Sequence, residues 1–230
     1  MSQKTIKVGV VDSGFSPAQQ ALVQDSAAFI IADGQLWQSE ADWDQLGHGS
    51  HVISTIYASA PEARFYVAQV FHDRLSTTAV QVAAAIDWLV EQNVDVINLS
   101  LGLRSDQDSL KSAVARAIKQ GIVLCAASPA KGDPVYPAAY FGVFRMTGDA
   151  RCTAQQWSYL ETAYADFGAE VKSADGQQAG SSMGCARMTG HICHYLAQHE
   201  ATAAKPVASI LAIRQYLQQN AHYFGAEHRG

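Results

Sequence analysis

Ile6-Lys7-Val8-Gly9-Val10-Val11-Asp12-Ser13-Gly14 is the stretch that decides the fold. Ile6 to Val11 is a short β-rich run that stops at Asp12. The aspartate therefore lies at a strand's carboxyl end, where open parallel sheets gather their ligand sites. Working outward, Ala27 to Ile31 reads as another strand, Gly34 to Gln45 as an exposed loop, and Gly49 to Ser59 as a helix. Phe65 to Phe71 is a clear strand. Thr78 to Gln92 carries Val82, Ile86, Leu89 and Val90 at a helical period. Val94 to Leu99 is the next strand. Ser105 with Asp108 reads as a helix start, and that helix runs through Lys119 to a stop at Gly121. Ile122 to Ala127 and Gly142 to Met146 add strands, and Met183 to His199 and Ala208 to Asn220 read as two closing helices. This β-α alternation predicts an α/β fold, a mainly parallel sheet with helices on both faces.

Bulk properties fit one domain over residues 1–230. The chain has 230 residues, 48% hydrophobic and 16% charged, enough apolar content for a substantial core. Its net charge is −5 with no basic stripe, which argues against nucleic acid and anionic membrane as partners. No stretch is long and apolar enough to span a bilayer. Met1-Ser2-Gln3-Lys4-Thr5 leads straight into the first strand with no apolar signal-peptide region or propeptide, so the expected location is cytoplasmic. Cys125, Cys152, Cys185 and Cys193 read as isolated buried thiols rather than a disulfide framework.

Two later stretches share the small-residue character of Asp12-Ser13-Gly14: Gly47-His48-Gly49-Ser50-His51-Val52 and Gly180-Ser181-Ser182-Met183-Gly184. A serine hydroxyl is a poor nucleophile at neutral pH and needs an adjacent base. His48 is the candidate base for Ser182, and Asp12 the group that fixes the imidazole tautomer and stabilises the imidazolium. Glycines beside each residue allow close approach of backbone and substrate. Taken singly, the three residues read as a turn aspartate, a loop histidine and a helix-capping serine.

The three stretches resemble, in the same order, the D-[ST]-G, H-G-T-H and G-T-S-x-A motifs of the subtilisin-like serine proteases, the peptidase S8 type. The similarity runs from Val8 to about Leu217 and implies a three-layer sandwich in a single catalytic domain. It also implies that Val94 to Gly102 ends in the segment that pairs with a peptide substrate as an added strand and walls its specificity pocket. By that analogy Ser100, Leu101, Gly102 and Leu103 form one side of the substrate groove, and Phe71 and His72 the other. The resemblance implies no cofactor.

Three departures from the family pattern matter. Where the family places an oxyanion-binding asparagine, this chain has Cys125-Ala126-Ala127-Ser128-Pro129, and Pro129 has no donor. Loss of one such donor costs about 10²–10³ in kcat, which predicts a slow or selective enzyme rather than a dead one. The Ser182 backbone N–H remains as an oxyanion donor, with the Ser128 hydroxyl or Lys131 ammonium as candidate substitutes for the asparagine. Ala186 replaces a family proline after the nucleophile and softens one helical turn. Leu103 stands where relatives carry glycine and is expected to narrow the pocket mouth.

Other features read more simply. His191, Cys193 and His194 share a helix but lack the ligand number of a structural zinc site. No acidic spacing predicts calcium, so no metal is expected. Glu40, Asp42 and Asp44 read as a solvated loop that could set negative charge near the groove. Trp37 and Trp43 read as structural anchors or a partner patch.

The reading is a serine endopeptidase that cuts a peptide or precursor protein, selectively removing a leader. It resembles the small leader peptidases of peptide-modification clusters, one of which matures the cross-linked subunit of quinohemoprotein amine dehydrogenase. A partner protein of such a pathway is a further expectation. A pseudoprotease that binds peptide without cutting it, and a transpeptidase or macrocyclase, are the alternatives.

Overall fold

The computed structural model describes residues 5–199 and 206–227, with side chains of 206–209 left out. Among the described residues ten strands form one sheet: β1 (Ile6–Asp12), β2 (Val23–Ala32), β3 (Gln35–Ser39), β4 (Ala63–Gln69), β5 (Val96–Leu99), β6 (Val123–Ala127), β7 (Phe144–Gly148), β8 (Trp157–Tyr159), β9 (Phe167–Ala169) and β10 (Tyr223–Phe224). Their order is β10-β8-β9-β7-β6-β5-β1-β4-β2-β3. From β9 to β2 every neighbour is parallel. The β2–β3 and β8–β9 pairs are antiparallel. The helices are α1 (His48–Ser59), α2 (Ala79–Glu91), α3 (Asp108–Lys119), α4 (Ser181–Gln198) and α5 (Pro206–Gln219). No helix among the described residues is long and apolar enough to cross a membrane.

Strand alternation builds two cores. Val8, Val10, Val96, Val123 and Cys125 pack with Val52, Ile53 and Ile56 of α1 and with Met183, Met188 and Ile192 of α4. The residues between them, Val11, Ile97, Leu99 and Leu124, pack with Val82, Ile86 and Leu89 of α2 and Leu110 of α3. Central strands buried on both faces take apolar residues at nearly every position, the hydrogen-bonded Asn98 of β5 being an exception, which is why they read as largely apolar runs in sequence. The result is the expected three-layer α/β sandwich.

The parallel register puts the carboxyl ends of β1, β5 and β6 side by side: Asp12 closes β1, Ser100 follows β5 and Ser128 follows β6. The amino-terminal turns of α1 and α4 reach this same edge, so residues far apart in sequence meet there.

The structure differs from the sequence reading at several elements. Gly34 to Gln45 is not all loop, because β3 folds back on β2 through the two-residue turn Asp33-Gly34. Helix α3 starts at Asp108 and not at a Ser105 cap. Its preceding residues are held instead by Tyr140, whose hydroxyl donates to Asp106 Oδ1 at 2.8 Å and receives the Gln107 N–H at 3.2 Å. Strands β8, β9 and β10 had no counterpart in the sequence reading. Each has two or three residues, too few to show a period.

Candidate active site

Asp12 is wholly buried at the end of β1. Its Oδ1 accepts the Ser13 N–H at 2.8 Å and the Ser13 hydroxyl at 3.2 Å, and lies 2.7 Å from His48 Nδ1. Oδ2 is buried with no donor among the described residues. His48 is the first residue of α1, and the spacing between that helix and β1 is set by glycine. A Cβ on Gly49 would lie 2.3 Å from the Gly14 carbonyl oxygen, so a larger residue would push the imidazole off the carboxylate. The Gly49 N–H donates to the Ser13 hydroxyl oxygen at 2.9 Å, tying the helix to the aspartate's own turn.

Asp44 fixes the same helix from outside. One carboxylate oxygen accepts the Leu46 and Gly47 N–H groups at 3.0 and 2.8 Å, and the other accepts the Ser50 N–H and hydroxyl at 2.8 and 2.7 Å. These bonds satisfy amides that a helix start leaves without partners. Burial alone would raise the Asp44 pKa, but the hydrogen bonds from Ser50, Ser13 and Gly47 hold it below the ordinary value. Gln69, at the end of β4, pins the approach to this turn by accepting the Asp42 N–H at 2.9 Å and donating to the Ser13 carbonyl at 2.9 Å. For His48, burial works against the imidazolium, and the hydrogen bond and charge of Asp12 with the charge of Asp44 outweigh it. The imidazole therefore titrates above the usual histidine value of 6.5.

Ser182 sits in the first turn of α4. A Cβ on Gly184 would meet the Thr147 carbonyl oxygen at 2.2 Å, so only glycine lets this turn lie against β7. The Ser182 hydroxyl donates to the Ser100 carbonyl at 3.1 Å, and the Ser100 hydroxyl donates to the Ser182 carbonyl at 3.0 Å. Behind them the Asn98 side chain donates to Ser100 Oγ at 3.0 Å and accepts from the Thr189 hydroxyl at 2.9 Å. His48 and Ser182 line one open cleft of about 520 Å³, with Phe71, Leu101, Gly102 and Pro129. The structure shows no direct hydrogen bond between His48 and Ser182, because the hydroxyl is turned toward Ser100.

The model of the subtilase family matches residues 3–140, more than half of the chain. This chain belongs to the subtilase family. The match includes Asp12 and His48 and stops before Ser182, whose place in the cleft comes from the fold alone. Among relatives, the chain is similar to the minor extracellular protease Epr of Bacillus subtilis, with 34% identity covering 64% of this chain and 24% of Epr. It is also similar to the thermostable alkaline protease of Halalkalibacterium halodurans, with 29% identity covering 96% of this chain and 63% of that protein. It thus spans less than two thirds of the length of either relative. A solved lanthipeptide protease shares the fold at a TM-score of 0.69 and 19% identity, over 94% of this chain and 80% of that one.

Within this subtilase cleft, the residues expected from sequence fare differently. Ser100, Leu101, Gly102, Leu103 and Phe71 line it. His72 does not; its ring turns to the Phe29 carbonyl at 3.3 Å, on the far side of β4. Ser128 and Lys131 are also corrected as substitutes for the missing asparagine. The Ser128 hydroxyl is buried and donates to the Tyr164 carbonyl at 2.6 Å, while its N–H donates to the Met146 carbonyl at 2.8 Å. Lys131 lines a separate depression with Thr147 and Asp149. Asp44 is a helix cap and not merely a solvated loop residue. Trp43 packs edge-on against Phe15 at 5.3 Å, an anchor, whereas Trp37 is exposed on β3. On α4, His191 packs against Trp157 at 5.0 Å, Cys193 is in the core and His194 faces Glu62 at 3.7 Å. Among the described residues no three ligating side chains gather around a metal position.

Sequence reasoning missed Val135. A Cβ on Gly102 would lie 3.0 Å from its side chain, so Val135 packs tightly against Gly102 in the cleft wall. Leu103 is held against this segment by paired backbone bonds with Tyr136, at 2.7 and 2.8 Å. The only sequence signal was the Pro134-Val135-Tyr136-Pro137 run, whose prolines favour extended backbone.

Proposed function

We propose that this protein is a serine endopeptidase in which Asp12, His48 and Ser182 carry acyl transfer. The single observation that supports this most is the 2.7 Å approach of His48 Nδ1 to a wholly buried Asp12, with Ser182 facing the same cleft. The Ser182 hydroxyl swings from the Ser100 carbonyl to His48 Nε2 as substrate binds, and the peptide N–H of the substrate takes over that carbonyl. Ser182 Oγ then attacks the scissile carbonyl while His48 takes its proton. The oxyanion meets the Ser182 N–H at the positive end of α4. Collapse breaks the peptide C–N bond, His48 returns the proton to the leaving amine, and water attacks the acyl-enzyme by the same route.

In this reading the substrate is a dedicated precursor in the cytoplasm, from which a leader is removed by a selective protease. Two features support selectivity: Pro129 supplies no oxyanion donor, and Val135 packs beside Gly102 in the cleft wall. Fold likeness to a lanthipeptide protease fits a processing role, and four buried free thiols suit a reducing compartment. A peptide-binding pseudoprotease is the second reading, favoured by the Ser182 hydroxyl resting on Ser100 and by Pro129 in the cleft.

A fluorophosphonate probe, read by intact mass, separates the two. Labelling of the wild type that vanishes in Ser182→Ala and falls sharply in His48→Ala supports the protease. Folded wild type that takes no label supports the binding module.

A further inference from the structure

Strand β3 forms one outer edge of the sheet among the described residues. The β2–β3 hairpin runs past the end of β4, since Ala28 is the last β2 residue paired with it, opposite Gln69. Four more residues of β2, about 13 Å at the usual rise, carry the hairpin beyond the carboxyl end of the sheet, on the side where Asp12 lies.

The register shows which backbone groups face outward. The turn at Asp33-Gly34 has positive φ at both residues, 52° and 72°, the two-residue hairpin turn that closes on a hydrogen-bonded pair, here Ala32 with Gln35. Alternation along an antiparallel ladder then pairs Trp37 inward and leaves the N–H and C=O of Leu36 and Gln38 on the free edge. Phe29, opposite Gln38, is consistent with this. Its carbonyl points away from β3 and accepts from Gln81 Nε2 at 2.8 Å.

This edge lacks the lysine, proline or bulge that usually blunts an outer strand. It carries exposed apolar side chains instead, Trp37 at 55% and Leu36 at 38% of full exposure, with Ile31 of β2 opposite Leu36 at 40%. Its flanks are acidic. Asp33, Glu40 and Asp42 are exposed, and no lysine or arginine occurs between Lys7 and Arg64. A second copy pairing antiparallel on β3 would set Asp33 of each chain near Glu40 of the other, so self-association is opposed at both ends.

We infer that the free edge of β3 docks an extended segment of the polypeptide substrate, in which apolar and basic residues alternate, as an added strand outside the catalytic cleft. This rests on the protease reading for the identity of the occupant. The docked segment pairs with Leu36 and Gln38, covers Trp37 and places its cations beside Asp33 and Glu40. β3 lies three strands from β1 in the sheet, about 14 Å at the usual strand spacing, so docking there holds a long substrate beyond the cleft without filling it.

The test uses the whole chain as Ser182→Ala, so that no cleavage interferes. Fluorescein-labelled (Lys-Val)4 and (Glu-Val)4 peptides are titrated by anisotropy. The expected result is saturable binding of (Lys-Val)4, at least 10-fold weaker binding of (Glu-Val)4, and at least 10-fold weakening of (Lys-Val)4 by Gln38→Pro. Proline at 38 removes an outward N–H that the hairpin does not use, and Gln38→Ala changes the affinity less than 2-fold. Should Gln38→Pro disturb folding, Asp33→Lys with Glu40→Lys reverses the preference between the peptides. Absence of saturable (Lys-Val)4 binding, equal binding to a folded Gln38→Pro, or no reversal by the double charge variant overturns the proposal. So does self-association of the chain that Gln38→Pro abolishes. Fluorophosphonate labelling of the wild type is read separately. Edge binding without labelling removes the protease reading alone, and labelling without edge binding removes the docking strand alone.

Discussion

The two sides of the cleft are built to different standards. On the β1–α1 side, Asp12, Ser13, Asp44, Gly49 and Gln69 hold His48 through a connected set of hydrogen bonds that leaves only Asp12 Oδ2 without a donor. On the β6–α4 side, Ser182 is anchored through its backbone, but its hydroxyl rests on Ser100 and the neighbouring position is a proline. In the proposed mechanism the base is thus prepared before substrate arrives, whereas the nucleophile and the oxyanion site are completed when it binds. Rate on the first side is limited by how well charge is held, and rate on the second by how many donors are present.

Breaking the prepared side gives the largest effect. Asp12→Asn keeps an acceptor for the Ser13 N–H but removes the charge that stabilises the imidazolium. The expected loss in kcat is about 10⁴-fold, measured on a peptide substrate, with the thermal midpoint lowered only at pH values below the raised His48 pKa. A loss of only a few fold would mean that Asp12 does not support the base. The under-furnished side is tested in the opposite direction. Pro129→Asn adds a side-chain amide at the cleft wall, and kcat should rise by about 10²-fold, the lower end of what one oxyanion donor supplies. An unchanged kcat with an intact fold would show that the oxyanion is already fully bound. Val135→Ala sharpens the comparison at smaller scale. Opening the space beside Gly102 should shift preference toward larger residues before the cleaved bond by roughly 10-fold in kcat/KM, the scale of a change in pocket volume of this kind.

The contrast also explains what was legible in the sequence. Val8, Val10, Val96 and Leu124 lie on strands buried on both faces, so β1, β5 and β6 read as largely apolar runs, broken by Lys7 and Asn98. Asp12, His48 and Ser182 stand out because the close packing at Gly49 and Gly184 demands glycine neighbours. By contrast, β3, β8, β9 and β10 are short and take their conformation from partners distant in sequence. Proximity to Pro129 in the chain made Ser128 and Lys131 plausible donors, but sequence does not say that the Ser128 hydroxyl turns to Tyr164 or that Lys131 leaves the cleft. Asp44 looked solvated because it lies among acids and tryptophans; its role depends on Ser50, six residues on, folding back over it. His72 was misplaced by the same limitation, since the chain after β4 bends toward β2.

The smallest expected effect is the most discriminating, because it separates structure from electrostatics at one residue. Asp44→Ala removes the cap of α1 and should lower stability by about 1–2 kcal/mol. It also removes one of the two negative charges that raise the His48 pKa. The base must be neutral to accept a proton, so activity in the wild type falls as pH drops through that raised value. In Asp44→Ala the imidazolium is less favoured, its pKa moves down, and the acid limb of kcat/KM moves to lower pH. The stability contributed by His48 follows the same charge. It is fully present below the unfolded value near 6.5 and is lost as pH rises through the raised folded value, and this window narrows in the variant. The variant should therefore be less stable overall yet retain a larger fraction of its maximal activity at acid pH than the wild type does. A cap acting only through helix geometry would lower the plateau without moving the limb. A limb that moves with no loss of stability would mean that Asp44 acts on His48 through charge alone.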